Sequence, residues 1–322
     1  MFSANPIVRI MVCAVVVCAV AAACKQSEPH NSSVNNTEGL WVAPSLLSDI
    51  ETTGSDRELV IYGEQLLTQT GRYFGPAGIV AKTANGMNCQ NCHLDGGRRL
   101  WGNNYSGVYS TYPIFRQRSG QVEDIYKRIN DCFQRSLAGD TLSIQSKEMQ
   151  AIYAYMKWIG KNVPKGTRPV GAGLQKLAYL DRAASIDKGR KVYIQHCRTC
   201  HGNNGQGLKV NDQITYTYPP LWGRFSYTDG AGMHRLSNFS SFVKNNMPFD
   251  KASHQKPVLT TEQAWDVAAF VNSQPRPHFN STNDYPNLGK KPIDAPWGPY
   301  ADTFPQQQHK YGPFKPMVEA KK

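Results

Sequence analysis

Charge is scarce in this 322-residue chain. Asp, Glu, Lys and Arg make up only 19% of it, and acidic residues are the scarcer sign, 24 against 36 Lys and Arg. The formal charge of +12 suits an anionic partner: nucleic acid, a membrane surface or a small anion. No basic run interleaved with aromatics occurs, so no nucleic-acid partner is expected. No apolar run reaches the roughly 20 residues that a membrane-spanning helix needs. Global disorder is excluded too, because 40% hydrophobic and 11% aromatic residues supply packed cores. With 20 Pro and 27 Gly, long loops are expected and one large helical bundle is not. At roughly 100–200 residues per domain, the length suggests two domains.

The longest apolar run, residues 10–23, follows Arg9, the only charged side chain before Cys24. This pattern reads as a signal peptide over residues 1–23 and predicts export to the periplasm. Ala21-Ala22-Ala23-Cys24 resembles a bacterial lipobox, although Leu is usual where Ala21 stands. A lipoprotein anchored at Cys24 and plain cleavage in the alanine run both stay open, and Cys24 is the only route to a membrane. Residues 24–40, rich in Asn and Ser, read as a flexible tether.

Eight cysteines are present, three of them in the leader region at Cys13, Cys18 and Cys24. Four others form Cys89-Gln90-Asn91-Cys92-His93 and Cys197-Arg198-Thr199-Cys200-His201. The pattern C-x-x-C-H attaches haem c: two thiols add to the two vinyl groups, and the adjacent His ligates the iron. A single copy could be a disulfide oxidoreductase motif, and four cysteines could hold zinc. Two copies, each followed directly by His in an exported chain, point to two covalently bound haem c groups. Cys89, Cys92, Cys197 and Cys200 are then the attachment points, and His93 and His201 the iron ligands.

The surroundings of each motif repeat. A helical pattern precedes Cys89, with Leu59, Val60 and Gly63 on it, and another carrying Gly189 and Tyr193 runs into Cys197. Closing helices are predicted over residues 147–159 and 261–272. Met149, Ile152, Tyr153, Met156 and Ile159 stripe the first, and Ala264, Val267, Ala268 and Val271 the second. Thr260 and Gln263 stand at capping-box spacing. Each half resembles a mono-haem class I cytochrome c domain, in which the first and last helices cross at a Gly and an aromatic residue. The expected fold is mainly α, with two class I cytochrome c-like domains in tandem at residues 41–163 and 179–275. Residues 164–178 form the linker. Nine of the 20 prolines lie from Pro275 onward with little helical or strand periodicity, so residues 276–322 are expected to be an extended Pro-rich tail wrapped over the domains rather than a third domain.

The sixth iron position decides what a haem does. In the second half the candidate is Met247, just before the closing helix, with Lys244 a rival and Met233 a weaker one. The first half offers no comparable Met. It has Cys132, on a helix predicted over residues 121–137 with Glu123 and Asp124 in its first turn. Arg128, Cys132 and Ser136 follow i, i+4, i+8 spacing and share one helix edge. The basic neighbourhood of Arg116, Arg118, Lys127, Arg128 and Arg135 favours a thiolate.

Residues 87–139 closely resemble the thiosulfate dehydrogenases, periplasmic di-haem cytochromes c that couple two thiosulfates into tetrathionate. Asn88-Cys89-Gln90-Asn91-Cys92-His93-Leu94-Asp95-Gly96-Gly97, Tyr112-Pro113, Arg118-Ser119 and the run from Arg128 through Cys132 to Ser136 carry the likeness. The resemblance implies an oxidoreductase whose first haem is ligated by His93 and Cys132. It also implies that Arg118, Arg128 and Ser136 line the active site. Electrons would leave through the second haem, ligated by Met247 or Lys244, to an exported electron-transfer protein. Tetrathionate reduction uses the same parts. A non-catalytic di-haem electron carrier is the alternative, as is a Cys-ligated sulfur-oxidation cytochrome acting on a carrier protein.

Overall fold

One glycine in each half sets how its helices meet. The computed structural model describes residues 39–45, 55–209 and 215–321. The expected leader, Cys24 and most of the tether lie outside the described residues. The main helices are α1 (Ser55–Thr68), α2 (Ile125–Arg135), α3 (Lys147–Ile159), α4 (Ile186–His196), α5 (Leu236–Asn246) and α6 (Thr261–Asn272). In the first half α1 packs on α3, where a Cβ on Gly63 would lie 2.1 Å from the Ala151 carbonyl oxygen. In the second half α4 packs on α6, and a Cβ on Gly189 would lie 1.9 Å from the Asp266 carbonyl oxygen. Tyr155 and Phe270 stand beside these crossings. The same close approach therefore recurs in the two halves, as the expected tandem arrangement requires.

The closing helices form for local reasons visible in the sequence. Ser146 accepts a hydrogen bond from the Met149 amide and starts α3. Met149, Ile152, Tyr155 and Ile159 then fall on one face and are wholly buried. Full burial of each such side chain contributes roughly 1.5–3 kcal/mol. At α6 the Thr260–Gln263 capping box is complete, with both reciprocal hydrogen bonds present.

Two predicted elements differ. The helix expected from residue 121 begins four residues later. Residues Gln121–Glu123 are instead a strand, β2, antiparallel to β1 (Ile114–Arg116). Gly120, at φ +68°, closes this hairpin with its amide on the Arg116 carbonyl, 2.8 Å. Asp124 is the N-cap rather than a first-turn residue, since its carboxylate accepts from the Lys127 amide at 2.7 Å. Cap chemistry thus overrides the helical pattern upstream of it.

The tail, expected to be extended, also carries two short helices, α7 (Gln306–Tyr311) and α8 (Lys315–Glu319). Buried apolar groups and paired charges anchor it. Phe314 packs against Trp265 and Tyr179, and Asp294 takes Arg235 and Ser237. Asp284 takes Arg135 through two hydrogen bonds of 2.8 and 2.6 Å. The linker is laid along the first half: the Trp101 and Asn103 amides donate to the Gly171 and Gly173 carbonyls. No helix among the described residues is long and apolar enough to cross a membrane.

A methyl group at Gly189 has only backbone to push against. Gly189→Ala is expected to lower stability by about 1–3 kcal/mol, read as a lower midpoint of thermal unfolding. An unchanged midpoint would mean that the two helices separate freely at this point.

Candidate functional site: two facing haem cavities

The motif Cys89–His93 begins with a short turn of 3-10 helix, Cys89–Asn91, pinned from both sides. The Asn88 side chain accepts from the Gly71 amide at 2.8 Å, and Thr70 Oγ1 donates to Cys89 Sγ at 3.3 Å. Burial pushes the Cys89, Cys92 and Cys197 thiols up to about 12, so they stay neutral unless chemically joined.

Each motif histidine is prepared in the same way. His93 Nδ1 faces the Asn103 carbonyl at 2.5 Å, and His201 Nδ1 faces the Pro219 carbonyl at 2.9 Å. A carbonyl only accepts, so Nδ1 carries the proton and the Nε2 lone pair is free for a metal. Burial holds both imidazoles neutral, lowering His93 to about 4 and moving His201 the same way. The His93 ring also stacks on Tyr105, 4.4 Å between centroids, which fixes its plane.

These groups open onto two cavities. The first, about 380 Å³, is lined by Cys89, Cys92 and His93 and by Arg128, Cys132 and Ser136. The second, about 330 Å³, is bounded by Cys197, Cys200, His201, Met233 and Met247. Both volumes lie in the range of pockets that hold organic cofactors, roughly 300–1,000 Å³. Two sulfurs and an imidazole with a free Nε2 in each cavity are the donor set of a covalently attached haem, and the residues fit it. Met87, Asn88 and Cys92 line both cavities, so the two share a wall.

In the same cavity as His93, α2 presents an arginine and a cysteine in contact. Arg128 Nη1 donates to Cys132 Sγ at 3.0 Å inside the first cavity. Arg128 is half-buried, and its guanidinium is held above even the usual arginine range, chiefly by that sulfur. Ser136 continues the same edge of the helix, and Arg116 enters the wall from β1.

Arg118 stands elsewhere. It is absent from the lining of this cavity; the tail and the second half hold it. Its Nε donates to the Tyr285 hydroxyl at 3.4 Å, its Nη1 to the Gly230 carbonyl at 3.3 Å, and Asp284 lies 3.7 Å away. Arg135 is tied to the same Asp284, and Lys127 pairs with Asp131. Arg168, which the sequence places in the linker, joins the cavity wall instead. Room for it comes from Gly173, where a Cβ would lie 2.3 Å from an Arg168 guanidinium nitrogen. In the second cavity Met247 lines the wall, whereas Lys244 directs its ammonium to the Leu259 carbonyl.

Paired helical halves, each with a cavity built for a thioether-linked haem, define a tandem di-haem cytochrome c. Residues 80–164 match the family described as SoxA/TsdA, cytochrome c domain, and residues 184–271 match cytochrome C oxidase, cbb3-type, subunit III. A thiosulfate dehydrogenase of Allochromatium vinosum is 35% identical over 241 residues, 74% of this chain and 84% of that protein. One of Psychrobacter arcticus is 37% identical over 214 residues, 66% of this chain and 63% of that protein. The solved thiosulfate dehydrogenase (TsdBA) of Marichromatium purpuratum superposes with a TM-score of 0.68 at 30% identity, covering 75% of this chain and 50% of that one. The matched segment thus spans under two thirds of the Psychrobacter protein and half of the Marichromatium chain. The chain belongs to the thiosulfate dehydrogenase family and carries two covalently bound haem c groups.

Replacing both Cys197 and Cys200 by Ala is expected to halve the covalent haem measured by pyridine haemochrome, leaving one group per chain. Two groups per chain in that variant would contradict the assignment of the second site.

Proposed function

We propose that this chain oxidises two thiosulfates to tetrathionate in the first cavity and delivers the electrons through the second haem to an exported electron-transfer protein. The Arg128–Cys132 contact carries this reading, because it sets a nucleophilic sulfur beside a half-buried cation in the cavity that His93 also lines. His93 and Cys132 would hold the first iron, and His201 and Met247 the second. The relatives named thiosulfate dehydrogenase support the choice of substrate. Residues 41–163 would then be the catalytic domain and residues 179–275 the electron-transfer domain. Export to the periplasm rests on the leader pattern of residues 1–23, and attachment to a membrane on the lipobox-like Cys24.

The reaction joins two dianions. At about 5 Å and an effective dielectric near 20, two such charges repel by roughly 13 kcal/mol. The cavity opposes that with Arg128, Arg116 and Arg168 in its wall. Cys132 Sγ bonds the sulfane sulfur of one thiosulfate, and this step releases two electrons. The haems, when bound, accept those electrons one at a time. The outer sulfur of the second thiosulfate then attacks the sulfane sulfur held by Cys132. The bond to Cys132 breaks, its thiolate returns, and tetrathionate leaves. Charge balances in both steps. Ser136 would donate to a sulfonate oxygen. Arg118 would act from the edge, through its place between the tail and Gly230.

Cys132→Gly is expected to abolish turnover while two haems remain attached; normal activity in that variant would remove the covalent route. Arg128→Gln is expected to lower kcat/KM for thiosulfate by about 10- to 100-fold, from the roughly 1.5–3 kcal/mol of a hydrogen bond to a charged group. Unchanged steady-state kinetics would mean that Arg128 meets no substrate.

A further inference from the structure

Several arginines of this fold are tied to a buried acid. Arg135 pairs with Asp284, Arg182 with Asp266, and Arg235 with Asp294. Arg276 breaks the pattern. It follows α6, where its Nη2 donates to the Val271 carbonyl at 2.6 Å and its Nη1 to the Leu221 carbonyl at 3.4 Å. Its guanidinium lies over the Tyr227 ring, 4.3 Å from the centroid. Tyr227 is itself fixed by donating to Asn272 Oδ1 at 2.9 Å. The Nε of Arg276 is buried and has no hydrogen-bond partner, and among the described residues no Asp or Glu pairs with this side chain.

The three groups that hold Arg276 share one property: Val271, Leu221 and Tyr227 all line the second cavity. Two carbonyls and a ring satisfy some of its donors, but they supply no full negative charge. A half-buried guanidinium whose Nε is wholly enclosed is stabilised by a counter-charge. The neighbourhood feels the uncompensated charge, since His234 is lowered to about 4 by burial first and by Arg276 second. Arg276 is not itself in that lining, but the groups that hold it are, so an anion held in the cavity would lie beside them. A haem c carries two propionate carboxylates and is the second cavity's cofactor.

We propose that Arg276 is the counter-ion of a propionate of the second haem and raises the reduction potential of that haem. A fixed cation beside the porphyrin opposes the additional positive charge of ferric iron and so favours the reduced form. The proposal rests on the second haem alone and stands whatever substrate the first cavity takes. Residue 276 lies just beyond the matched cytochrome segment, residues 184–271.

The test is a spectroelectrochemical titration of the two-haem protein as wild type, Arg276→Gln and Arg276→Lys. The wave of the second haem is identified as the one that Cys132→Gly leaves in place, because Cys132 lines only the first cavity. Arg276→Gln is expected to make the second haem harder to reduce by about tenfold in its one-electron equilibrium, a shift of about 59 mV. The first wave should stay, and Arg276→Lys, which keeps the charge, should restore most of the difference. An unmoved second wave in Arg276→Gln would overturn the proposal. Equal shifts in the Gln and Lys variants would do the same. If Arg276→Gln fails to take up haem, Arg276→Lys decides: a wild-type potential supports the counter-ion role, and failure of both variants assigns Arg276 a structural one.

Discussion

The contact between Arg128 and Cys132 is the constraint on which the first cavity depends. A half-buried guanidinium gains from an acceptor for its N–H groups, and the one it uses is the sulfur four residues along the same helix. Helix geometry makes that meeting automatic, because i and i+4 share a face. Everything that fixes α2 therefore also fixes the chemistry: the Asp124 cap at its start, the buried Ile129 and Phe133 beneath it, and the grip of Asp284 on Arg135 at its end. The proposed chemistry asks this sulfur to bond iron and substrate in turn, and a neighbouring cation suits both partners.

The tail and the linker give the two halves their common frame. Asp284 and Tyr285 reach back to Arg118 and Arg135 of the first half, while Asp294 holds Arg235 of the second. The linker lies on the loop that supplies the carbonyl for His93. The cavities consequently meet at a shared wall that contains Cys92, an attachment point of the first haem. Short separation is what electron transfer between two haems requires. Arg118 and Arg276 sit at opposite uses of the same device, a cation placed by backbone carbonyls and an aromatic ring. One has a carboxylate close by and the other does not.

Much of this was legible in the sequence because the governing rules are local. Two C-x-x-C-H motifs need no tertiary information, and both closing helices follow from a cap and an apolar stripe. The edge formed by Arg128, Cys132 and Ser136 follows from helical spacing alone. The misreadings have a common cause. Residues 121–123 carried a pattern that could continue the helix, but the turn at Gly120 and the cap at Asp124 give them to a hairpin. Arg118 is held by partners distant in sequence, Asp284 and Tyr285, while Arg168 of the linker packs beside Gly107 and its near neighbour Gly173. The tail hid its two helices among prolines, since their stability comes from burying Phe314 and Met317 rather than from propensity.

The most direct test of the account is the electron paramagnetic resonance spectrum of the fully ferric protein beside that of Cys132→Ala. The account predicts two low-spin haem signals in the parent, one with the signature of thiolate ligation. That signal should vanish in the variant while the other persists. Superimposable spectra would contradict the central claim, because the sulfur of Cys132 would then have no part in holding the first iron.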